Sequence, residues 1–206
     1  MRLLTLIFLI PLLYACSSKK NLINKNLFFQ KNQIEKILDE ESNQTMPLFL
    51  ITNPSDSILL RKKSMDISPT STPTVLQHFA KRLELTMVKS GGVGIAAPQV
   101  GILKNIIVVQ RLDKEEFPNE VYLNPRIIEY GAEKLPTPEG CLSIPEKRGT
   151  TQNRSKTIKI TYQKLDGSQH EETVEGFTAV IFQHEIDHLN GILFIDHLEQ
   201  EVKSGK

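Results

Sequence analysis

The sequence lacks a surplus of either charge: 25 basic and 24 acidic side chains leave a formal net charge of +1 over 206 residues. It has no run of basic residues interleaved with aromatics, so no nucleic-acid partner is implied. Cysteine is scarce, with only Cys16 and Cys141. Two thiols form at most one bridge, which excludes a disulfide scaffold. No apolar run reaches the roughly 20 residues that a membrane-spanning helix needs. Internal repeats are also missing. What remains, 39% hydrophobic and 24% charged residues, is ordinary for a soluble globular domain. The length suits one domain plus an appended segment.

That segment is N-terminal. Met1-Arg2 is a short basic start, and Leu3 to Leu13 is apolar apart from Thr5 and Pro11. The stretch has the length of a signal-peptide core. It ends in Leu13-Tyr14-Ala15-Cys16, followed by Ser17-Ser18-Lys19-Lys20. This resembles a bacterial lipoprotein signal. The resemblance implies that residues 1–15 are removed and that Cys16 is lipidated. The protein would then be held in the bacterial cell envelope, on a membrane and facing outside the cytoplasm. Ser17 leans toward the outer membrane in bacteria that have one. A plain secretory signal and an uncleaved anchor are the other readings. Residues 16–45 are polar and read as a tether, with Ile34, Ile37 and Leu38 marking a short amphipathic turn or two. The domain is expected to span 46–206.

Within it, Ser71-Thr72-Pro73 reads as a helix start. Leu76, Phe79, Ala80, Leu83 and Met87 recur at helical spacing, and Gly91-Gly92 supplies a stop. Ile102–Gln110 is expected as a strand, and Val121–Leu123 as a shorter one closed by Asn124-Pro125. Thr157 to Lys164 alternates, Asp166-Gly167 turns, and a second extended stretch runs to about Glu175. That is a hairpin signal. Phe177–Asn190 reads as a second helix, ended by Gly191. Strands and helices do not alternate strictly, so an antiparallel α+β fold fits better than a parallel sheet.

The sharpest chemical signal is His184-Glu185-Ile186-Asp187-His188. Residues four apart share a helix face, so both imidazoles can reach one ion with Glu185 beside it. A carboxylate there can move the protons of a water that the ion has acidified. Core histidines without an ion are the other reading of these five residues. Two histidines also leave a ligand set incomplete, and Asp, Glu, His or Cys could complete it. Cys141 is the sole thiol of the domain, in Glu139-Gly140-Cys141-Leu142-Ser143, where Pro136, Pro138 and Gly140 suggest irregular backbone. It could equally be a small buried hydrophobe. A thiolate ligand would favour a soft ion such as Zn²⁺ or Fe²⁺. The third segment, Gly92 to Gln99, contains Gly92, Gly94, Ala96-Ala97 and Pro98. It fails the spacing of phosphate and dinucleotide loops. Its glycines permit close backbone approach to a ligand, and the Gln99 amide could serve an oxyanion.

Taken together and in this order, the three segments resemble peptide deformylases from about Met46 to Leu198, including Asp56–Lys62 and Gly191–Leu198. The resemblance implies antiparallel sheets packed around a central metal-binding helix. It also implies that Cys141, His184 and His188 ligate one divalent metal ion, with Fe²⁺ expected and Zn²⁺ or Ni²⁺ as alternatives. Glu185 would be general base and then acid, while Gln99 and the backbone N–H of Leu142 would stabilise the oxyanion. Gly94 would meet the substrate backbone, and Val93, Phe177, Val180 and Ile181 would border the pocket for a methionine side chain. The substrate would be an N-formylmethionyl peptide, and the product formate. Thr150-Thr151-Gln152-Asn153 is more polar than that family usually shows, and an export signal is a larger departure from it. Two rivals stand beside this reading. One is a zinc peptidase whose third ligand is His197, Glu199 or Glu201. The other is a membrane-tethered binding module without turnover.

Overall fold

The computed structural model describes residues 28–38, 44–70 and 73–203. The expected signal segment 1–15, Cys16, residues 16–27 and 39–43 of the expected tether, and Ser71-Thr72 lie outside the described residues. Among the described residues no helix is long and apolar enough to cross a membrane.

In chain order the elements are α1 (Lys31–Ile37), α2 (Pro54–Leu60), α3 (Pro73–Lys89), β1 (Gly94–Ala96), a 3₁₀ turn (Ala97–Val100), β2 (Ile106–Gln110), β3 (Asn119–Tyr130), β4 (Thr137–Cys141), β5 (Ile144–Thr151), β6 (Thr157–Gln163), β7 (Gln169–Glu175), α4 (Gly176–Leu189) and α5 (Phe194–Lys203). Strands β1-β2-β3-β6-β7 form one antiparallel sheet in that order, and β4-β5 form a separate hairpin. The fold is α+β, as expected.

Strand alternation decides which helix covers which face of the large sheet. Ile106 and Val108 pack with Leu76, Phe79, Leu83 and Met87 of α3. Ile107 and Val109 point the other way, into a cluster with Ala179, Ile181, Phe182 and Ile186 of α4. The buried run in β2 thus serves two cores. Helix α4 is buried at every residue from Thr178 to Ile186 and again at His188 and Leu189. A helix buried all round must sit centrally, and every polar group it carries needs a partner. A third cluster joins the β4-β5 hairpin to α5 through Cys141, Ile144, Phe194 and Ile195.

Four sequence expectations differ from what is seen. The strand begun at Ile102 starts at Ile106, because Gly101 adopts φ 81° and Asn105 N–H bonds Met65 O instead. Strand β3 does not stop at Asn124-Pro125. Asn124 takes φ 50° and the register shifts between Leu123 and Arg126. A bulge there lets Pro125 sit in a strand without an N–H to offer. The Asn124 amide also ties Ile67 O and Gln163 Oε1. The proline-rich approach to Cys141 is strand β4, not irregular backbone. Finally, residues 28–38 were expected within a tether, yet Phe29 and Ile37 are buried in the α3 core. A few apolar side chains at helical spacing suffice to dock α1, each worth roughly 1.5–3 kcal/mol when fully buried.

Candidate active site

Two elements distant in sequence meet here. Helix α4 supplies His184, Glu185 and His188, and the end of β4 supplies Cys141. The Cys141 Sγ lies 3.2 Å from His188 Nε2, and the two imidazole centroids are 5.2 Å apart. One ligand atom from each of Cys141, His184 and His188 lies within 4.8 Å of the others. The mid-chain sulfur does face both rings.

Behind this trio runs a chain of buried charges that sequence reasoning did not assign. His184 Nδ1 is 2.7 Å from Glu139 Oε2. An ionised carboxylate only accepts, so Nδ1 carries the proton and Nε2 is left free to bind. Arg154 donates to Glu139 Oε1 at 2.8 Å and Oε2 at 3.1 Å, and to Asp187 Oδ2 at 2.6 Å. Thr151 also hydrogen-bonds Glu139. Burial alone would raise the Glu139 carboxyl, but bonds from His184 and Arg154 hold it well below the usual carboxylate range. Burial works against charge on His184 too, yet its bonds to Cys141 and Glu139 raise its pKa well above the ordinary value. His188 goes the other way, lowered by burial and by the neighbouring His184. The two rings therefore respond in opposite directions, His184 toward charge and His188 away from it.

Glu185 is 4% exposed, and its Oε2 has no hydrogen-bond partner among the described residues. Burial, aided by the charges of Glu139 and Asp187, pushes its carboxyl up to about 7. The side chain lies against Gly94. A Cβ there would come within 2.5 Å of Glu185 Oε1 and 2.7 Å of Ile181 Cγ2. Gly94 is thus a glycine by necessity of close approach.

Gln99 sits in the 3₁₀ turn after β1. Its Oε1 accepts from Ala96 N–H at 2.8 Å, which aims Nε2 toward Cys141 Sγ at 3.6 Å and Ser143 Oγ at 3.2 Å. Leu142 follows Cys141 at the hairpin tip and, like Gln99, Glu185 and His184, lines a cavity of about 620 Å³. Val93, Phe177, Val180 and Ile181 form apolar wall of the same cavity. That volume suits a ligand the size of a short peptide end. The rival third ligands are elsewhere: His197 Nε2 pairs with Asp187 Oδ2 at 2.8 Å, Glu201 accepts from Gln152 N–H at 2.8 Å, and Glu199 is exposed. One sequence signal could have found Glu139: it stands two residues before Cys141, so in a strand both face the same side, and both are buried.

The donor set fits a divalent ion of the softer kind. A cysteine sulfur and two imidazoles converge, the fourth side opens on the cavity, and a carboxylate oxygen with no partner among the described residues waits beside it.

Comparison with known proteins agrees with this arrangement. The family model described as polypeptide deformylase matches residues 48–204. A peptide deformylase of Desulforudis audaxviator is 43% identical over 151 residues, covering 73% of this chain and 94% of that protein. A crystal structure of peptide deformylase from Thermotoga maritima superposes with a TM-score of 0.66 at 37% identity, over 74% of this chain and 97% of that one. A class I type b peptide deformylase from Acinetobacter baumannii, bound to Met-Ala-Ser, gives a TM-score of 0.66 at 35% identity, over 74% and 98%.

Proposed function

This chain belongs to the polypeptide deformylase family, a family of metal-dependent hydrolases that remove formyl groups, and from that premise we propose how its residues divide the reaction, which ion it carries and where it works. Cys141, His184 and His188 hold one divalent ion. When bound, it supplies a Lewis acid and brings the pKa of an attached water toward neutrality.

The chain's own groups do the rest. Glu185 takes a proton from the attacking water, for which a carboxyl titrating near 7 is well matched. A C–O bond forms at the formyl carbon, and the oxyanion receives hydrogen bonds from Gln99 Nε2 and the Leu142 backbone N–H. The C–N bond breaks as Glu185 returns its proton to the departing amine; the second water proton, left on the formic acid, then passes to the amine, so that formate and a methionyl ammonium group result. Gly94 lets the substrate backbone come close, while Val93, Phe177, Val180 and Ile181 receive the methionine side chain. The Met-Ala-Ser complex of the Acinetobacter baumannii relative supports a peptide in this cavity. Fe²⁺ is the ion proposed, with Zn²⁺ or Ni²⁺ as alternatives.

The Leu3–Cys16 pattern supports lipidation of Cys16 and a place in the bacterial cell envelope, outside the cytoplasm. The substrates met there would be formylated peptides already released from the cytosol. Replacing Cys16 by Ser should move the protein out of the membrane fraction, and continued anchoring would refute lipidation.

The observation that carries the catalytic reading is an unpartnered, buried Glu185 oxygen next to a converging thiol and two imidazoles. Its test is Glu185→Ala, prepared without oxygen and assayed on formyl-Met-Ala-Ser. Turnover should fall by roughly 10²–10⁴-fold, while metal analysis finds the ion retained. Unchanged turnover removes Glu185 from its role. In Cys141→Ala the ion should be lost, and full occupancy there would remove the thiolate from the ligand set.

A further inference from the structure

Helix α1 lies ahead of the span 48–204 that matches the family, yet it reaches the turn that carries Gln99. Lys36 Nζ donates to Val100 O at 2.7 Å and stands 4.8 Å over the Phe49 ring. Phe49 N–H in turn donates to Gln99 O at 2.8 Å. The two successive carbonyls of the turn, Gln99 O and Val100 O, are therefore both held, the first by the Phe49 backbone and the second by Lys36 of α1. Space around the turn is filled as well. A Cβ on Gly101 would come within 2.5 Å of Phe49 Cζ and 3.0 Å of Lys36 Nζ.

The helix itself is firmly seated. Buried Arg82 donates through Nη1 to Lys36 O and Ile37 O, both at 3.0 Å, and through Nε to Gln44 O at 3.2 Å. The two Nη1 bonds answer the last carbonyls of α1, which have no partner within the helix. Ile37 is fully buried, and Phe29 meets Phe79 edge-on with centroids 5.6 Å apart. Lys36 is thus a charged donor on a docked lever, not a loose surface side chain. The Gln99 side chain depends on this backbone: its Oε1 is fixed by the N–H of Ala96, the β1 residue that caps the turn, and its Nε2 points into the site.

We propose that Lys36 is a positioning residue for deformylation: α1, clamped by Arg82, sets the Lys36 ammonium on Val100 O and so joins the Phe49 backbone in fixing the turn that aims Gln99 Nε2 at the oxyanion. This rests on the deformylase reading and on the role given there to Gln99. A donor that acts only on the developing oxyanion affects kcat and leaves KM alone.

The test is a double-mutant cycle in the full chain with formyl-Met-Ala-Ser. Lys36→Met should lower kcat about tenfold, a part of the roughly 10²–10³-fold that loss of an oxyanion donor costs, with KM unchanged. In a Gln99→Ala background the same substitution should cost nothing further, because the group it positions is gone. An unchanged kcat in Lys36→Met would overturn the proposal. So would the same tenfold loss in the Gln99→Ala background, since that marks general destabilisation. Should Lys36→Met fail to fold, Phe49→Leu keeps the backbone donor and removes the ring beneath the ammonium, and it must show the same dependence on Gln99. An unaltered chain without turnover contradicts the deformylase reading itself, whereas an active chain indifferent to Lys36 contradicts only the brace.

Discussion

Two arginines are buried against helix α4, and they do different work. The Arg154 side chain is 5% exposed and joins Glu139 to Asp187. The Arg111 side chain is 3% exposed and joins Asp113, Glu172 and, at 3.5 Å, Glu120, with the Tyr122 hydroxyl at 2.8 Å. Its guanidinium also lies 5.8 Å from the Phe182 ring centroid. Each guanidinium is satisfied in the way a buried charge requires. The difference lies in where the bonds lead. From Arg154 they pass through Glu139 to His184 and so to the site. From Arg111 they pass to carboxylates that are a quarter to a third exposed and end in solvent. The same ion-pair chemistry therefore sets a ligand in one region and holds a sheet together in the other.

Breaking the inner network should have the largest effect. Glu139→Gln leaves His184 without a charged acceptor and Arg154 with one carboxylate fewer. Metal affinity should fall roughly 10–100-fold, and stability by about 3–5 kcal/mol. Chelator competition and chemical denaturation read the two losses separately. A variant that is destabilised yet binds metal as before would erase the distinction between the arginines.

Arg111→Met is the matching cut in the outer network. Its carboxylates can turn to water, so the expected cost is about 3 kcal/mol, or a melting point lower by about 6–12 °C for a chain of this size. kcat/KM of the folded fraction should not change. Reduced metal affinity here would mean that the two networks are one.

Acid should separate them further. The hydrogen bond from Arg111 holds the Asp113 carboxyl below its usual value of 3.8. Burial would raise Glu120 above its usual 4.5, but bonds from Lys114 and Tyr122 outweigh it and lower the group. Both folded values lie below the unfolded ones. Their stabilisation is complete above about pH 5 and is lost as pH falls through the folded values. The melting-point gap between the unaltered protein and Arg111→Met should narrow on going from about pH 6 to about pH 3. A constant gap would show that these carboxylates do not carry the effect.

The inner network also shows where sequence reading stops. The His184–His188 face was legible because helical period is a local property, and α4 formed where expected. The partner strand was hidden: Pro136 and Pro138 argued against it, although β4 pairs with β5 from Thr137 to Cys141. Without that strand, the shared face of Glu139 and Cys141 could not be read. Arg154 was out of reach for another reason, since nothing in its neighbourhood of sequence names a carboxylate 15 residues away. The α1 dock was missed because Phe29, Ile34 and Ile37 are diluted by polar residues, and only the partner surface on α3 gives them meaning.

The smallest effect should come at the outer end of the inner network. His197 Nε2 meets Asp187 Oδ2, the oxygen that Arg154 also uses, but its side chain is 26% exposed against 18% for Asp187. A pair of that kind contributes on the order of 0–1 kcal/mol. Asp187 would keep Arg154 after His197→Gln, so the tie from Arg154 through Glu139 to His184 stays whole. Stability should drop by less than about 1 kcal/mol, and metal affinity should stay as it was. A tenfold loss of affinity in this variant would move the boundary of the metal-supporting network out to the protein surface, and the contrast with Arg111 would then rest on exposure no longer.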